Sequence, residues 1–506
     1  MGSLDKIITS EQFKSHVYSK QISGVTGLCH GVFDVLHLGH IDHLEEARSR
    51  VDCLIVSVTH DEYVDKGPGR PLNSHFDRMK VLAAIEAVDY VVLSKSSSAV
   101  ANIEIIRPNF YFKGQDYHLG DLPQDSEFNQ NLKLEIDAVR SFGGEIFFTQ
   151  SPLRSSSEII NKTQISDPDL IDVLQGARHY LENTPLELLE SQLKSVRFGV
   201  VGEIIHDEFV FTESLGRSGK HPLVAHRELS RISFLGGVVP VFYSLVHFVG
   251  NSQVALVSAE NSSVVDTELQ SLGTDLILSE LVKPIRKRRF IDRKTGTFVF
   301  EQYEMDDSLF SNELNDLFEY KLSRILSEVD LALVLDYGHG LISETSRSIL
   351  NQNASKVALN VQRNAGNRGL HHVGKYSRAS VIVLNGEEVE IELRSKGLEL
   401  RSAALQLHTK FKAEIVVITD GSNGLFITDG KRVLRVPSLH NGAIVDRTGS
   451  GDSVFLAVAS FSAVTRNLEL LGLVGNIAGS VNLKYLANQN ILNFASLFRS
   501  LKYLLK

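Results

Sequence analysis

Two histidines three residues apart are the densest chemical signal in the N-terminal part of the chain. His37 and His40 follow the run HGVFD, where an apolar segment ending at about His30 gives way to a helical pattern. A helix start offers free backbone N–H groups and the positive end of the helix dipole, which favour a bound phosphate, and Gly39 permits close approach to the backbone. This spacing suits nucleotidyl transfer, which needs positioning and charge neutralisation. The same short string also occurs as a simple helix start.

A second constellation lies near the C-terminus, where Gly449, Ser450, Gly451 and Asp452 stand between an apolar strand pattern and an apolar helix. Consecutive N–H groups at a helix start form an anion hole, and Asp452 places a carboxylate beside it. A general base next to a phosphate cradle is what phosphorylation of a hydroxyl group requires. The alternative is a glycine-rich turn with an aspartate that caps the helix.

The elements that must position these residues follow an alternating pattern. From Gly24 to about Lys162, apolar runs alternate with amphipathic ones: VTGLCHG, LGHIDHLEEARSR, DCLIVSVT, HFDRMKVLAAIEA, VDYVVL, NFYF, EFNQNLKLEIDAVRSFG and GEIFFTQ, before a helix opening at Ser155. This pattern predicts an α/β fold with a parallel sheet covered on both faces and ligands beyond the carboxyl ends of the strands.

A second α/β domain is predicted after residues 163–193, which contain two proline-marked helix starts and form a helical connector. A new strand begins near Val196, and strands alternate with helices to the end of the printed sequence. The apolar runs 329–335 and 413–419 are predicted to be buried strands, since they are far shorter than the roughly 20 residues that span a bilayer. The fold class is therefore two doubly wound parallel-sheet domains.

Length and composition narrow the functional classes. The chain has 506 residues, 43% of them hydrophobic, and a formal net charge of −9. Such a length predicts more than one core, and the acidic balance disfavours nucleic acid and membrane surfaces as partners. Cys29 and Cys53 are too few for a disulfide framework or a four-cysteine zinc site, and they are expected to be buried in strands. We expect a cytoplasmic protein that acts on small polar substrates.

Residues 24–162 resemble the cytidylyltransferase-like branch of the HxGH nucleotidyltransferase superfamily. The first motif comprises Gly31, Phe33, Asp34, His37, Gly39 and His40, and the second comprises Ser155, Ser156 and Ser157. KGPGRPLN (66–73), Arg78 and FKGQDY (112–117) also resemble the adenylyltransferase half of the bifunctional heptose kinase/adenylyltransferases of lipopolysaccharide synthesis.

This resemblance implies that His37 and His40 contact the nucleotide phosphates and that the three serines donate hydrogen bonds to them. Lys66 and Lys113 would neutralise the negative charge of the phosphates, and Arg154 would bind a phosphate. The alternative for these basic residues is a solvated or packing role. The resemblance implies a catalytic set of His37, His40 and Lys113, with Gly31, Phe33, Asp34, Gly39, Lys66, Arg154, Ser155, Ser156 and Ser157 binding the nucleotide. His30 departs from the family pattern, which has Asn or Thr there.

Residues 196–506 resemble the ribokinase-like (PfkB) carbohydrate kinases. VDRTGSGDSVF is similar to the family signature D-T-x-G-A-G-D, and further matches follow in order: GEIIHDEF (202–209), lid-like strands through 208–234, Gly236-Gly237, DYGHG (336–340), Asn385-x-x-Glu388 and ITDGSNG (418–424). Two departures put the sugar specificity in doubt. Glu203 replaces the usual Asp, and VVPVFYS follows the glycine pair where the family supplies a sugar-contacting Asn.

The resemblance implies that Glu203 and Asp207 bind sugar hydroxyls, that Asp452 is the catalytic base, and that Asn385 and Glu388 organise phosphate and Mg²⁺, with Glu388 acting through water. The complete implied set for substrate and phosphate is Glu203, Asp207, Gly236, Gly237, Asp336, Asn385, Glu388, Gly421, Gly449, Ser450 and Gly451. The basic stretch 283–293 is predicted to be a solvated face. The alternative is that Lys287 or Arg289 reaches a phosphate already on the sugar.

Together the resemblances imply a bifunctional enzyme with residues 1–162 as nucleotidyltransferase, 163–193 as helical connector and 194–506 as kinase. It would phosphorylate a heptose-like sugar at the anomeric hydroxyl with ATP, and transfer a nucleoside monophosphate from ATP or CTP to the sugar 1-phosphate. The expected cofactor is Mg²⁺, and a homodimer through the kinase lid is expected.

An alternative interpretation makes the protein a glycerol- or polyol-phosphate cytidylyltransferase. Its kinase-like domain would then be a non-catalytic sugar sensor or a dimerisation platform. RSSSEII (154–160) also resembles that relative, and pyrophosphate release with ATP against CTP distinguishes the two transferases. The missing Asn motivates the non-catalytic kinase-like domain, and sugar-dependent formation of ADP would exclude it.

Overall fold

The computed structural model describes residues 2–18, 24–64, 66, 70–114, 127–150, 167–261, 269, 276–279, 282–305, 311–367, 370–440, 444–486 and 491–505. Contacts divide the chain into a first unit (1–165, 502–504 and 506) and a second unit (166–501 and 505). The boundaries 1–162, 163–193 and 194–506 remain a prediction.

The first unit is built on five parallel strands: β1 (Thr26–Gly31), β2 (Cys53–Thr59), β3 (Tyr90–Ser94), β4 (Phe110–Lys113) and β5 (Glu145–Phe148). Their order across the sheet is β3-β2-β1-β4-β5. Strands β2 and β3 lie on one side of β1, and β4 and β5 lie on its other side, so the strand order reverses between β1 and β4. A crevice at such a reversal is where open α/β sheets bind ligands.

Helices cover both faces of this sheet: α1 (Ser10–Tyr18), α2 (Leu38–Arg48), α3 (His75–Ala83), α4 (Val100–Ile106) and α5 (Glu127–Arg140). One core contains Cys29, Leu44, Met79 and Phe112, and the other contains Leu28, Ile103, Tyr111 and Val139. Successive residues of β1 and β4 thus enter opposite cores, as the two-residue period of a strand requires. The predicted strands and the helices α2, α3 and α5 are confirmed, whereas α1 and the short α4 were not predicted.

The second unit contains a sheet in the order β19-β18-β17-β16-β15-β14-β6-β9. Its strands are β6 (Phe198–Gly202), β9 (Val254–Val257), β14 (Leu331–Asp336), β15 (Val357–Val361), β16 (Val381–Asn385), β17 (Ile415–Thr419), β18 (Leu425–Thr428) and β19 (Val433–Val436). Pairing is parallel except that β18 is antiparallel to β17 and β19. The apolar runs 329–335 and 413–419 lie in the buried strands β14 and β17, as predicted.

The helices of this unit are α6 (Pro168–Asn183), α7 (Leu186–Ser195), α8 (Val239–Val249), α9 (Asn312–Glu328), α10 (Glu344–Gln352), α11 (Gly386–Leu393), α12 (Leu400–Phe411), α13 (Ser450–Ser462), α14 (Leu468–Asn482) and α15 (Phe494–Leu504). Helices α6 and α7 begin at the two predicted proline sites, and the side chain of Asp167 caps α6. Arg435 on β19 contacts Asp167 and Asp169 at 3.1 and 3.0 Å.

Four further strands form a separate sheet in the order β13-β12-β7-β8, which we call the lid. They are β7 (Ile204–Arg217), β8 (Val224–Gly237), β12 (Ile285–Asp292) and β13 (Phe298–Glu304), and two short strands, β10 (Ala259–Glu260) and β11 (Ile277–Leu278), pair elsewhere. The lid strands expected through 208–234 are therefore present. The basic stretch 283–293 supplies β12, which pairs in parallel with β7.

Candidate functional sites

The paired histidines of the first unit lie at the carboxyl edge of its sheet. Strand β1 ends at Gly31, and His37 is the extended residue directly before α2. The backbone N–H of His40 donates to the carbonyl of His37 at 2.9 Å, and their imidazole rings stack with centroids 3.9 Å apart. The helix start therefore holds both rings side by side, as the spacing predicted.

Desolvation is the main reason that the pKa of His40 falls to about 3, and His37, Lys66 and His43 lower it further. His40 is consequently neutral when no anion is present. Its buried Nδ1 atom has no hydrogen-bond partner within the described part of the chain. The predicted charge clamp Lys66 is thus close enough to act electrostatically on His40.

Asp34 holds the loop after β1. Its carboxylate accepts the N–H groups of Leu72 and Asn73 at 2.7 and 3.0 Å, and Arg70 lies 3.5 Å from it. The Asn73 side chain donates back to the Asp34 carbonyl at 2.7 Å. The motif residue predicted to bind nucleotide therefore ties the loop of the histidines to the loop that precedes α3.

The Arg78 side chain holds the same two loops in place through hydrogen bonds. Its fully buried guanidinium donates to the carbonyl groups of Val32, Asn73 (3.0 Å) and Thr59 (2.8 Å) and to the carboxylate of Asp61 (2.5 Å). These bonds connect the ends of β1 and β2 to α3.

Phe33 adopts the left-handed conformation with φ 50°, and a Cβ atom on Gly31 would lie 3.1 Å from its ring.

Lys113 ends β4 and lies in a buried ion pair with Glu135 of α5, at 2.9 Å. Sequence reasoning missed Glu135, because nothing in its local pattern marks it as more than a helical residue. His30 is partly buried next to this pair, its Nδ1 lies 3.0 Å from Ser57 Oγ, and desolvation lowers its pKa to about 4. Arg154, Ser155, Ser156 and Ser157 lie outside the described residues.

The second site lies at the start of α13. Gly449 precedes the helix in a left-handed conformation with φ 77°, and Ser450 Oγ donates to the Gly479 carbonyl at 3.1 Å. Gly451 is exposed, and a Cβ atom there would meet nothing within 4 Å. The Ser450 N–H at this helix start donates to the Arg447 carbonyl at 3.2 Å, whereas the space beside Gly451 is open to an anion.

Asp452 lies in this first turn and is partly buried. Desolvation raises its pKa to about 6, while the side-chain amide of Gln362 donates to it and opposes that rise. A carboxylate with such a pKa is half ionised near pH 6 and mostly ionised at neutral pH. Gln362 follows β15, and its role was not predicted from the sequence.

Glu203 follows β6 and is buried. Its two carboxylate oxygens accept the N–H groups of Tyr337 and His339, both at 3.0 Å. Burial and the neighbouring Asp336 raise the pKa of Glu203 to about 7. A Cβ atom on Gly237, which has φ 63°, would lie 2.1 Å from the Glu203 carbonyl oxygen. Gly237 thus permits close packing of β8 against the segment that follows β6.

Asp336, the last residue of β14, lies next to Glu203. Tyr376 Oη donates to its carboxylate at 2.5 Å, and His371 Nε2 lies 3.2 Å away. Burial alone raises the pKa of Asp336, but these two partners lower it below its ordinary value. Glu203 and Asp336 are therefore two neighbouring carboxyl groups whose pKa values are pushed apart.

The lid brings opposite charges towards this site. On β7, Asp207 accepts a hydrogen bond from Arg289 of β12 at 2.6 Å, and Arg289 also contacts Glu301 at 3.1 Å. Lys287 is buried, and desolvation lowers its pKa while the charges of Asp207, Glu203 and Asp452 oppose that effect.

The prediction that 283–293 is a solvated face is wrong for Lys287 and Arg289. Strand alternation turns them towards Asp207, while Arg286 and Arg288 pair with Glu208 and Glu304. A parallel pairing with β7, some eighty residues earlier in the chain, produces this arrangement, and no local signal in the sequence specifies it.

Asn385 and Glu388 form a reciprocal cap at the start of α11. Asn385 Oδ1 accepts the N–H of Glu388 at 2.9 Å, and Glu388 accepts the N–H groups of Asn385 (2.8 Å) and Arg363 (3.1 Å). Burial is the main reason that the pKa of Glu388 rises to about 7, and the charge of Asp452 adds to the rise. Gly421 begins the turn after β17 with φ 52°.

Among the described residues, no group of three or more His, Cys, Asp or Glu side chains is arranged to hold a metal ion. Mg²⁺ in phosphoryl-transfer sites is held by one or two carboxylates, substrate phosphates and water, so it does not need such a group. Glu388 and Asp452 interact electrostatically and fit a site of this kind.

Within the same described residues, none of the helices combines the length and the apolar character needed to cross a bilayer.

Comparison with known proteins finds a match to one family in each unit. Residues 28–162 match the cytidylyltransferase-like family, and residues 297–493 match the pfkB family of carbohydrate kinases. The two families and their order were predicted from the motifs, and that prediction is confirmed.

Among curated proteins, the chain is 38% identical over 146 residues to the bifunctional protein HldE of Granulibacter bethesdensis, covering 28% of each chain. It is 46% identical over 89 residues to the HldE protein of a Nitratiruptor species, covering 17% of this chain and 19% of that one. The matches thus span about a quarter or less of these relatives. Phosphofructokinase-2 from Escherichia coli in complex with potassium superposes with a TM-score of 0.50 at 15% identity, covering 61% of this chain and 99% of that one. At this identity the likeness shows the fold alone, and the predicted ribokinase-like α/β fold is confirmed.

Proposed function

Because a cytidylyltransferase-like domain precedes a pfkB family carbohydrate kinase domain in this chain, we propose that it catalyses two consecutive phosphate transfers. The kinase phosphorylates a heptose-like sugar at the anomeric hydroxyl with ATP. The transferase joins the sugar 1-phosphate to a nucleoside monophosphate from ATP or CTP. One observation carries the proposal: each unit places reactive side chains beside a helix start at the carboxyl edge of its own parallel sheet.

In the kinase reaction, the anomeric oxygen attacks the γ-phosphorus of ATP. The bond from that phosphorus to the oxygen bridging it to ADP breaks, and the hydroxyl proton passes to Asp452. A pKa of about 6 leaves this carboxylate ionised at neutral pH and close to the pKa that suits a general base. Backbone N–H groups of Gly449, Ser450 and Gly451 bind the phosphate that is transferred, and the Ser450 N–H gives up its bond to the Arg447 carbonyl to do so.

The sugar lies between the lid and the end of β6. Glu203 is oriented by two backbone N–H groups, and Asp207 is oriented by Arg289. Both carboxylates retain lone pairs for sugar hydroxyls. Gly236 and Gly237 keep the adjoining backbone close to this position, and Asp336 orients the segment after β14 through its contact with the Gly338 N–H at 3.1 Å.

In the transferase reaction, a phosphate oxygen of the sugar 1-phosphate attacks the α-phosphorus of the nucleotide and pyrophosphate leaves. His40, neutral before the nucleotide binds, donates a hydrogen bond to the α-phosphate beside His37. Lys66 and Lys113 supply positive charge. Gly39 lets the phosphate approach α2, and Asp34 keeps the histidine loop in place. By resemblance, Arg154 and Ser155 to Ser157 complete the phosphate contacts.

Mg²⁺ bound through water to Glu388 and beside Asp452 would neutralise charge on the phosphates of ATP. Asn385 fixes the orientation of Glu388, and the Gly421 turn borders the nucleotide.

We also propose a cytoplasmic homodimer that pairs through the lid. The lid exposes large apolar side chains, among them Leu215, Val224, Phe298 and Phe300. Light scattering at several concentrations tests the dimer, and a monomer at micromolar concentration would exclude a stable one.

The two activities reside in different units, so they can be removed one at a time. His40→Ala should reduce pyrophosphate release by about 10²–10³-fold, as the loss of one donor at a developing charge does, and leave sugar phosphorylation intact. Asp452→Asn should abolish sugar-dependent ADP formation and leave the transfer to added sugar 1-phosphate intact. Mixing the two variants should restore the complete sequence, since the intermediate diffuses between molecules.

A wild-type protein that releases pyrophosphate from CTP with glycerol phosphate, and forms no ADP with any sugar, would refute the kinase proposal. It would establish the polyol-phosphate alternative with a non-catalytic second domain.

A further inference from the structure

A buried ion pair lies at the crevice between β1 and β4. The Nζ atom of Lys113 is 2.9 Å from Oε2 of Glu135, and the two side chains are only 7% and 4% exposed. Cys29 pairs with Phe112, so His30 and Lys113 are the next residues on the two neighbouring strands. The pair therefore lies at the position where the strand order reverses and where a nucleotide is expected.

Glu135 is well held even without its lysine. Tyr111 Oη donates to it at 2.9 Å, the N–H of Ala99 at 2.8 Å and the hydroxyl of Ser98 at 3.4 Å. Burial alone raises the pKa of Glu135, but Lys113 and the Ala99 N–H lower it below its ordinary value. If Lys113 left, the carboxylate would still accept three hydrogen bonds.

Lys113 has different requirements. A buried ammonium group needs a counter-charge, and its flexible stem lets it change partners. His30 cannot take the place of Glu135, because an imidazole is neutral or positively charged and offers no negative counter-charge; its Nδ1 lies 3.0 Å from Ser57 Oγ. A phosphate that enters the crevice supplies a negative charge that would compensate the ammonium group for the loss of Glu135.

We propose that Glu135 competes with the nucleotide for Lys113: it holds Lys113 at the crevice until the nucleotide phosphates displace the carboxylate. This inference rests on the proposed transferase function. It adds that binding of the nucleotide breaks the Lys113–Glu135 pair. The pair therefore weakens nucleotide binding and keeps Lys113 in a defined place before the reaction.

The test compares the full-length wild type and Glu135→Gln by the KM for ATP or CTP in pyrophosphate release and by calorimetry with Mg²⁺ and the same nucleotide, in which binding of ATP to the kinase unit contributes equally to both proteins. The glutamine removes the charge but retains an oxygen for Tyr111 and Ala99. We expect the Kd and KM to fall about tenfold, the size of one charge-assisted hydrogen bond, with kcat unchanged within about twofold. Tyr111→Phe is the matched control. It removes a hydrogen bond to Glu135, keeps the ion pair, and should leave the Kd unchanged within about twofold.

A second measurement separates this role from a merely structural one. Glu135→Gln should lower the Tm of the free protein, because Lys113 loses its counter-charge. Saturating nucleotide should then raise the Tm of the variant more than that of the wild type, because phosphate replaces the missing charge. A purely structural role predicts equal increases.

If Glu135→Gln does not fold, Glu135→Asp keeps the charge and withdraws it by one methylene group. We expect this variant to bind nucleotide about threefold more tightly than the wild type, because the pair is weakened and not removed. An unchanged Kd in the folded variant, with an unchanged Tm increase, overturns the inference and leaves the transferase function intact. A wild type that binds neither nucleotide overturns the transferase function and the inference with it.

Discussion

The acid limb of the kinase pH profile should report the ionisation of Asp452. A base acts only when deprotonated, so kcat/KM for the sugar should rise with pH through the pKa of about 6 and level off above it. With that pKa, the ionised fraction is about 90% at pH 7 and about 10% at pH 5. Kinase activity should therefore fall about tenfold between these two values of pH.

Glu203 and Glu388 also have raised pKa values, near 7, so the acid limb alone does not identify the base. A change at Gln362 assigns the limb to Asp452. The amide of Gln362 donates to Asp452 and lowers its pKa. Loss of a hydrogen bond to a charged group costs about 1.5–3 kcal/mol, and each pKa unit corresponds to about 1.4 kcal/mol. Gln362→Leu should thus move the limb upwards by about one to two pH units.

The assay is initial-rate ADP formation from pH 4.5 to 9 with sugar and saturating MgATP. Gln362→Leu should lose most of its kcat/KM at pH 6 and recover it above about pH 8.5. Pyrophosphate release by the same protein serves as the internal control, and its profile should not move. A limb that stays in place in Gln362→Leu would refute the assignment of Asp452 as the base.

Three further outcomes are expected. Residues 1–165 and 166–506, expressed separately, should each show a cooperative melt, since each unit has its own sheet and core; a fragment with no transition in calorimetry would contradict the division. Gly237→Ala should lower the free energy of unfolding by more than the roughly 1–3 kcal/mol of left-handed strain, because a Cβ atom would also meet the Glu203 carbonyl at 2.1 Å. Gly216→Ala, with φ 91° and nothing within 4 Å, measures the strain alone, so equal losses in urea titrations would remove the steric argument. Asp207→Asn should raise the KM for sugar more than it lowers kcat, as measured by initial rates, if the carboxylate binds a hydroxyl equally in ground and transition states.

Both candidate phosphate sites could be located in the sequence because their central residues are neighbours along the chain. His37 and His40 share one helix start, and Gly449 to Asp452 share another, so the backbone brings these groups together without help from distant segments. The alternation of apolar and amphipathic runs likewise determined two α/β units, because burial on both faces leaves a local mark on every strand.

The partners of the reactive groups were decided only by the tertiary structure. Gln362 meets Asp452 from 90 residues away, and Glu135 of α5 meets Lys113 of β4. The sequence predicted that Lys287 and Arg289 belong to a solvated basic face. In the structure, the pairing of β12 with β7 turns both side chains towards Asp207. Pairing between segments that are distant in the sequence decides which charged side chains are buried and which carboxylate each basic side chain faces. The motifs therefore identified the two sites, and the packing around them sets the pKa of Asp452 and the place of Lys113.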